Sequence, residues 1–87
     1  MSSKKKDRAR ERWLRAIGQA IRSRREALGV SQEALGYRAG FHRTYVSDLE
    51  RGRRNPTATT LLALAATMGV RASEILEEAE ESLNPSS

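Results

Sequence analysis

The stretch that decides the fold runs from Ser31 to Arg51 and reads SQEALGYRAGFHRTYVSDLER. It predicts two short helices joined by a tight turn. The Ser31 hydroxyl can accept from one of the N–H groups left open at a helix start. Gln32 and Glu33 follow in the first turn, where a carboxylate suits the positive end of a helix. Leu35 and Ala39 stand four residues apart and share one face. Gly40 stops this helix, because glycine enters the left-handed conformation without a Cβ penalty. A second helix is predicted from about His42 to Arg51, with Val46 and Leu49 on its inner side.

Two short helices separated by a few turn residues, glycine among them, make a helix-turn-helix pattern. At Gln32, Leu35, Gly40, Val46, Ser47, Leu49, Glu50, Arg51, Gly52, Asn55 and Pro56 the chain resembles phage-repressor-type regulators of the Xre, or Cro/CI, group. The run HRTYVSDLERGRRNP, His42–Pro56, also resembles controller proteins of restriction–modification systems. The likeness spans about residues 13–76. It implies an all-α, five-helix, lambda-repressor-like domain in which helices 2 and 3 form the DNA-binding pair.

Outward from this stretch the chain continues in helices. Residues 1–6 form a basic, polar leader, expected to be flexible; a solvated tail and a DNA-contacting arm are both open readings. Asp7 can cap a helix running to about Leu28, with Ala9, Trp13, Ile17, Ala20 or Ile21 and Leu28 on one apolar stripe and Leu14 widening it. Arg8, Arg12, Arg15, Arg22 and Arg25 lie opposite. A basic amphipathic helix can rest on a membrane, but this stripe has a use in covering the helix-turn-helix. Gly29 ends the helix and Val30 leads into Ser31.

On the other side, Gly52 closes the third helix and Arg53, Arg54, Asn55 and Pro56 make a loop. Thr57 caps a fourth helix over 58–68, ended by Gly69. Leu61, Leu62, Leu64, Ala65 and Met68 make it apolar on most sides, which predicts burial. Val70 packs inward. A fifth helix is expected over 72–83, with Ile75, Leu76 and Ala79 on one side and Glu74, Glu77, Glu78, Glu80 and Glu81 outside. Arg71 is a poor residue to cap it. The domain thus spans 7–83, with a flexible tail at 84–87.

Composition bounds the function. Eighty-seven residues make one domain with a modest core. There is no cysteine, so disulfides and thiolate metal sites are excluded. No apolar run reaches membrane-spanning length and the N-terminus lacks the apolar core of a secretory signal. A cytoplasmic, nucleoid-associated protein is expected, with no membrane partner and no room for a separate sensing domain. Residues 1–56 hold 15 basic and six acidic residues, a net of +9, whereas 57–87 hold Arg71 against five glutamates, a net of −4. One end is built for a polyanion.

These features nominate specific contacts. The early residues of the second helix of such a pair reach base edges, which places Arg43 and Thr44 first, with Ser47 and Asp48 beside them. Arginine matches guanine O6 and N7 bidentately; threonine can donate or touch a thymine methyl. Asp48 can accept from cytosine N4 or pair with Arg51 one turn on. Phosphate contacts fall to Gln32, Arg38, Tyr45, Arg51, Arg53, Arg54 and Asn55. Gln32 stands at a helix N-terminus favourable to anions. Tyr45 has a structural reading as well, and Glu50 is expected to tie an arginine or the following loop into the fold. His42, the only histidine, suits a cap or a phosphate contact. Gly36 stands where the resemblance has alanine. Glycine costs roughly 1 kcal/mol in a helix interior, so Gly36→Ala is expected to stabilise.

The resulting expectation is a sequence-specific regulator that binds a palindromic operator on double-stranded DNA as a homodimer. Val70, Ile75, Leu76 and Ala79 are the candidate dimer surface, with Ile75 and Ala79 favoured for it and Leu62 and Met68 assigned to the core. The alternative is an antitoxin-like or adaptor module of the same fold that binds a protein partner, such as a toxin or the transcription machinery. Neither enzyme activity, nor a catalytic residue, cofactor or metal site is expected.

Overall fold

The computed structural model describes residues 2–84 and contains five α-helices: α1 (Ser2–Ala27), α2 (Gln32–Ala39), α3 (Arg43–Glu50), α4 (Ala58–Met68) and α5 (Ala72–Leu83). Each boundary has a local cause. The Ser31 hydroxyl accepts from the Ala34 N–H at 3.0 Å, and Gly40 ends α2 at φ 85°. His42 starts α3 by accepting the Thr44 N–H on Nδ1 at 3.1 Å. Thr57 caps α4 by accepting from the Thr60 N–H at 3.1 Å, and Gly69 ends it at φ 72°. Arg71 gives α5 no side-chain cap. Instead the Glu74 carboxylate reaches back and accepts the Arg71 N–H at 2.9 Å, the second half of a capping box without the first.

The first helix is longer than its sequence suggests. It starts at Ser2 and takes in the residues expected to form a flexible leader. Lysine and arginine are good helix formers, and no glycine or proline interrupts the chain before Gly18. Asp7 therefore lies inside the helix as an exposed residue and caps nothing. Of the tail, Asn84 closes α5 by donating its N–H to the Glu80 and Glu81 carbonyls at 3.2 Å; residues 85–87, like Met1, lie outside the described residues.

The core forms where all five helices meet: Ala16, Ala20 and Ile21 from α1, Leu35 from α2, Val46 and Leu49 from α3, Leu61, Leu64, Ala65 and Met68 from α4, Ile75 and Ala79 from α5. Three expected core positions are not in it. Leu62 is 58% exposed and Trp13 is 56% exposed, and Leu28 is also open. Leu62 falls on the outer side of α4, Trp13 borders an open groove between α1 and α5, and Leu28 falls beyond the last helical turn.

Among the described residues no single helix is long and apolar enough to cross a membrane. The α4–α5 pair reaches that apolarity only jointly, across a bend of 104°, and its apolar residues largely form the core.

Two glycines allow backbone to meet backbone. A Cβ on Gly36 would stand 2.6 Å from the Phe41 carbonyl oxygen and 3.3 Å from Val46 Cγ2. Gly36 is thus required by the tight turn, and the expected gain from Gly36→Ala is reversed. Gly18, unremarked in the sequence, is more constrained: a Cβ there would clash with the Leu49 carbonyl oxygen and stand 2.6 Å from that of Glu50. The end of α3 rests directly on the α1 backbone.

Candidate nucleic-acid interface

The geometry of α3 is set by one buried ion pair. Arg25 on α1 donates to Glu50 twice, from Nε at 2.7 Å and from Nη2 at 3.0 Å, and its third contact is the Val30 carbonyl at 2.8 Å. The Arg25 and Glu50 side chains are 11% and 3% exposed. The Glu50 hydrogen bond, opposed by burial, holds the Arg25 guanidinium above its ordinary range. This single group ties the end of α1, the α1–α2 turn and the end of α3 together, the structural role anticipated for Glu50.

Gln32 belongs to the same cluster. Its Nε2 donates to Glu50 Oε1 at 3.0 Å. The side chain nominated for phosphate contact is therefore already engaged in fixing α2 to α3. The open backbone N–H groups of the first turn of α2 are what it leaves for an anion.

With α3 held this way, Arg43 and Thr44 are exposed at its start, Ser47 and Asp48 are half-buried, and Arg51 is exposed at its end. Asp48 makes no ion pair with Arg51 among the described residues; the pairing expected between them is absent. The Asp48 carbonyl instead accepts the Arg53 N–H at 2.9 Å, which folds the loop back on the helix end. Tyr45 packs its ring against Phe41, with centroids 5.3 Å apart. Its hydroxyl lies 3.4 Å from Thr60 Oγ1, which also receives a hydrogen bond from Thr57 Oγ1 at 3.0 Å. The Arg54 guanidinium lies over the Tyr45 ring, 5.1 Å from its centroid. Tyr45 thus fulfils its structural reading and orients Arg54, a cation–π contact that sequence spacing alone does not reveal.

The charges fall into two classes. Arg22, Arg24 and Arg25 are all paired with glutamates: Arg22 with Glu26, Arg24 with Glu78 and Glu74, Arg25 with Glu50. Arg38, Arg43, Arg51, Arg53 and Arg54 are all exposed and have no carboxylate within 4.0 Å among the described residues. The positive charge left uncompensated includes the whole rim of α3. Asn55, also exposed, completes this loop.

One further residue belongs to the surface. Tyr37, on α2, is 88% exposed and shares a shallow groove with Glu33, Phe41, His42 and Arg43. Its only sequence signal is an aromatic off the apolar stripe of its helix.

The expected dimer surface divides. Ile75 is fully buried and Ala79 nearly so, both within the core of a single chain, so the two residues favoured for the interface are withdrawn from it. Their positions on α5 face α1 and α4, which an isolated helix pattern cannot distinguish from a partner. Val70 is half-buried and Leu76 remains exposed.

Comparison with known proteins decides the family. The helix-turn-helix family model matches residues 21–75. The chain belongs to the helix-turn-helix family. This helix-turn-helix protein is 42% identical over 65 residues to an HTH-type transcriptional regulator, y4dJ, of Sinorhizobium fredii, an alignment covering 75% of this chain and 84% of that one. Among solved structures it is similar to the clp gene regulator ClgR of Corynebacterium glutamicum, with a TM-score of 0.79 at 31% identity over 82% of this chain and 76% of that one. It is also similar to the restriction–modification controller protein C.AhdI of Aeromonas hydrophila, with a TM-score of 0.70 at 39% identity over 71% of this chain and 94% of that one. The five-helix, repressor-like fold and the Xre-type resemblance stand on these matches.

Proposed function

We propose that this helix-turn-helix protein is a sequence-specific regulator of transcription that reads double-stranded DNA in the major groove with α3. The observation that carries the reading is the division of arginines. Arg22, Arg24 and Arg25, in the last turns of α1, are neutralised by glutamates, and those around α3 are exposed and unpaired. Unpaired arginines at fixed positions around an exposed helix suit a polyanion, because each phosphate neutralised releases condensed counterions.

The roles divide by geometry. Arg43 and Thr44, exposed at the start of α3, read bases, with Ser47 and Asp48 alongside them. Arg38, Arg51, Arg53, Arg54 and Asn55 hold the backbone, and Tyr37 joins them through its exposed hydroxyl. Arg54 is positioned by the Tyr45 ring. Gln32 supports α2, whose N-terminal N–H groups meet a phosphate. One such domain covers a short half-site, so two copies reading a palindrome with half-sites about 34 Å apart supply specificity. The relatives that are transcriptional regulators and controller proteins support this assignment, and a location in the cytoplasm with the nucleoid is part of the same proposal.

Selection of bound duplexes from a random pool at about 150 mM salt, where non-specific binding is weak, tests the reading. The expected result is one enriched, palindromic sequence. A bound pool with no enriched sequence contradicts it.

A further inference from the structure

Toward its N-terminus α1 carries cations that no ion pair offsets. Lys6, Arg8, Arg10, Arg12 and Arg15 are all exposed and have no carboxylate within 4.0 Å among the described residues. Asp7 and Glu11 are the only acids before Gly18, and neither engages them. The helix is thus split: its last turns are neutralised by glutamates and its first half is not.

Two observations join this basic half to the loop after α3. A Cβ on Gly52 would stand 3.0 Å from the backbone N and Cα of Arg15, so the Gly52 turn rests directly on α1. Farther back, Asn55 lines one groove with Lys6, Arg10, Trp13 and Leu14. Between Arg15 and Lys6 α1 runs about 13 Å, at about 1.5 Å per residue, alongside the loop that holds Arg53 and Arg54. Lys6 and Arg10, four residues apart, share the helix face that borders Asn55. The free cations of α1 and those of the loop therefore form one continuous strip.

We propose that the N-terminal half of α1 is a second DNA-binding element, in which Lys6 and Arg10 hold phosphates beyond those reached by α3 and its loop. An acidic protein would satisfy the same charges. DNA is favoured because the strip continues a surface whose other members, Arg51, Arg53, Arg54 and Asn55, hold the DNA backbone. A duplex, with one phosphate per strand about every 3.4 Å of its axis, spans both parts without a break. The proposal rests on the DNA-binding reading above and widens its surface. Phosphate contacts carry no sequence information, so α1 supplies affinity while α3 supplies specificity.

The test uses the full chain with operator and scrambled duplexes. Lys6→Gln and Arg10→Gln are combined in one variant; glutamine is also a good helix former, so the helix is kept, which circular dichroism checks. Across a salt series the slope of affinity is expected to fall by about two for each copy bound, with both duplexes weakened by the same factor. The chain has no cysteine, so Lys6→Cys can carry a single DNA-cleaving iron chelate. Bound to the operator, it is expected to cut the backbone at defined positions. An unchanged slope, which would give the strip to an acidic partner or to solvent, overturns the proposal, and so does cleavage no greater than that by free chelate. Both results leave the preference for the operator, the readout of α3, untouched. Equal binding of the two duplexes by the native chain overturns base reading by α3 instead, and slope and cleavage still decide the part of α1.

Discussion

Gly36 illustrates how a residue can be misread until its neighbours are placed. From the chain alone it is a helix-interior glycine whose replacement by alanine gains roughly 1 kcal/mol. In the folded domain the added methyl meets the Phe41 carbonyl oxygen at 2.6 Å, a backbone atom held by the turn. Forcing a methyl into such a site costs about 1–3 kcal/mol, so overpacking exceeds the propensity gain. Gly36→Ala is therefore expected to lower the urea midpoint, and a raised midpoint contradicts this. At Glu50 the outcome is larger. Removing one member of a buried pair leaves a buried charge and costs about 3–5 kcal/mol; Glu50→Ala is expected to lose that much in equilibrium unfolding. A raised arginine pKa stabilises fully below the ordinary arginine range and loses its effect only above it, so Arg25 gives stability no slope across neutral pH.

At the level of the elements, most of the fold was legible. Ser31, Gly40, Thr57 and Gly69 mark helix ends by backbone chemistry that needs no tertiary partner, and the bounds of α2 and α4 follow from them. Thr57→Ala is expected to cost about 1 kcal/mol as a lost cap, read as a fall in melting temperature. An unchanged melting temperature would assign the cap no energetic role. The start of α1 was not legible, because Asp7 imitates a cap and only the absence of breakers argues for continuation to Ser2. The facing of α5 was not legible either. Ile75, Leu76 and Ala79 make one apolar arc, and which part of it meets α1 depends on where α1 runs. For the candidate site, the exposed arginines could be named from the chain, but the Gln32–Glu50 and Arg54–Tyr45 contacts could not, since each joins separate elements.

Across the whole molecule, charge is partitioned in a way that links fold to function. Glutamates neutralise Arg22, Arg24 and Arg25 and leave the rim of α3 positive. Affinity for DNA should then fall steeply with salt, and Arg53→Ala should weaken all sequences alike and reduce the salt slope by about one. Base reading by Arg43 is the central claim. It is tested most directly by titrating the selected operator and a scrambled duplex with the native chain and with Arg43→Ala at equal salt. The expected result is a loss of about 1–3 kcal/mol on the operator with a much smaller change on the scrambled duplex. Equal losses on both would contradict it, since they would make Arg43 a phosphate contact and leave α3 without its principal reader.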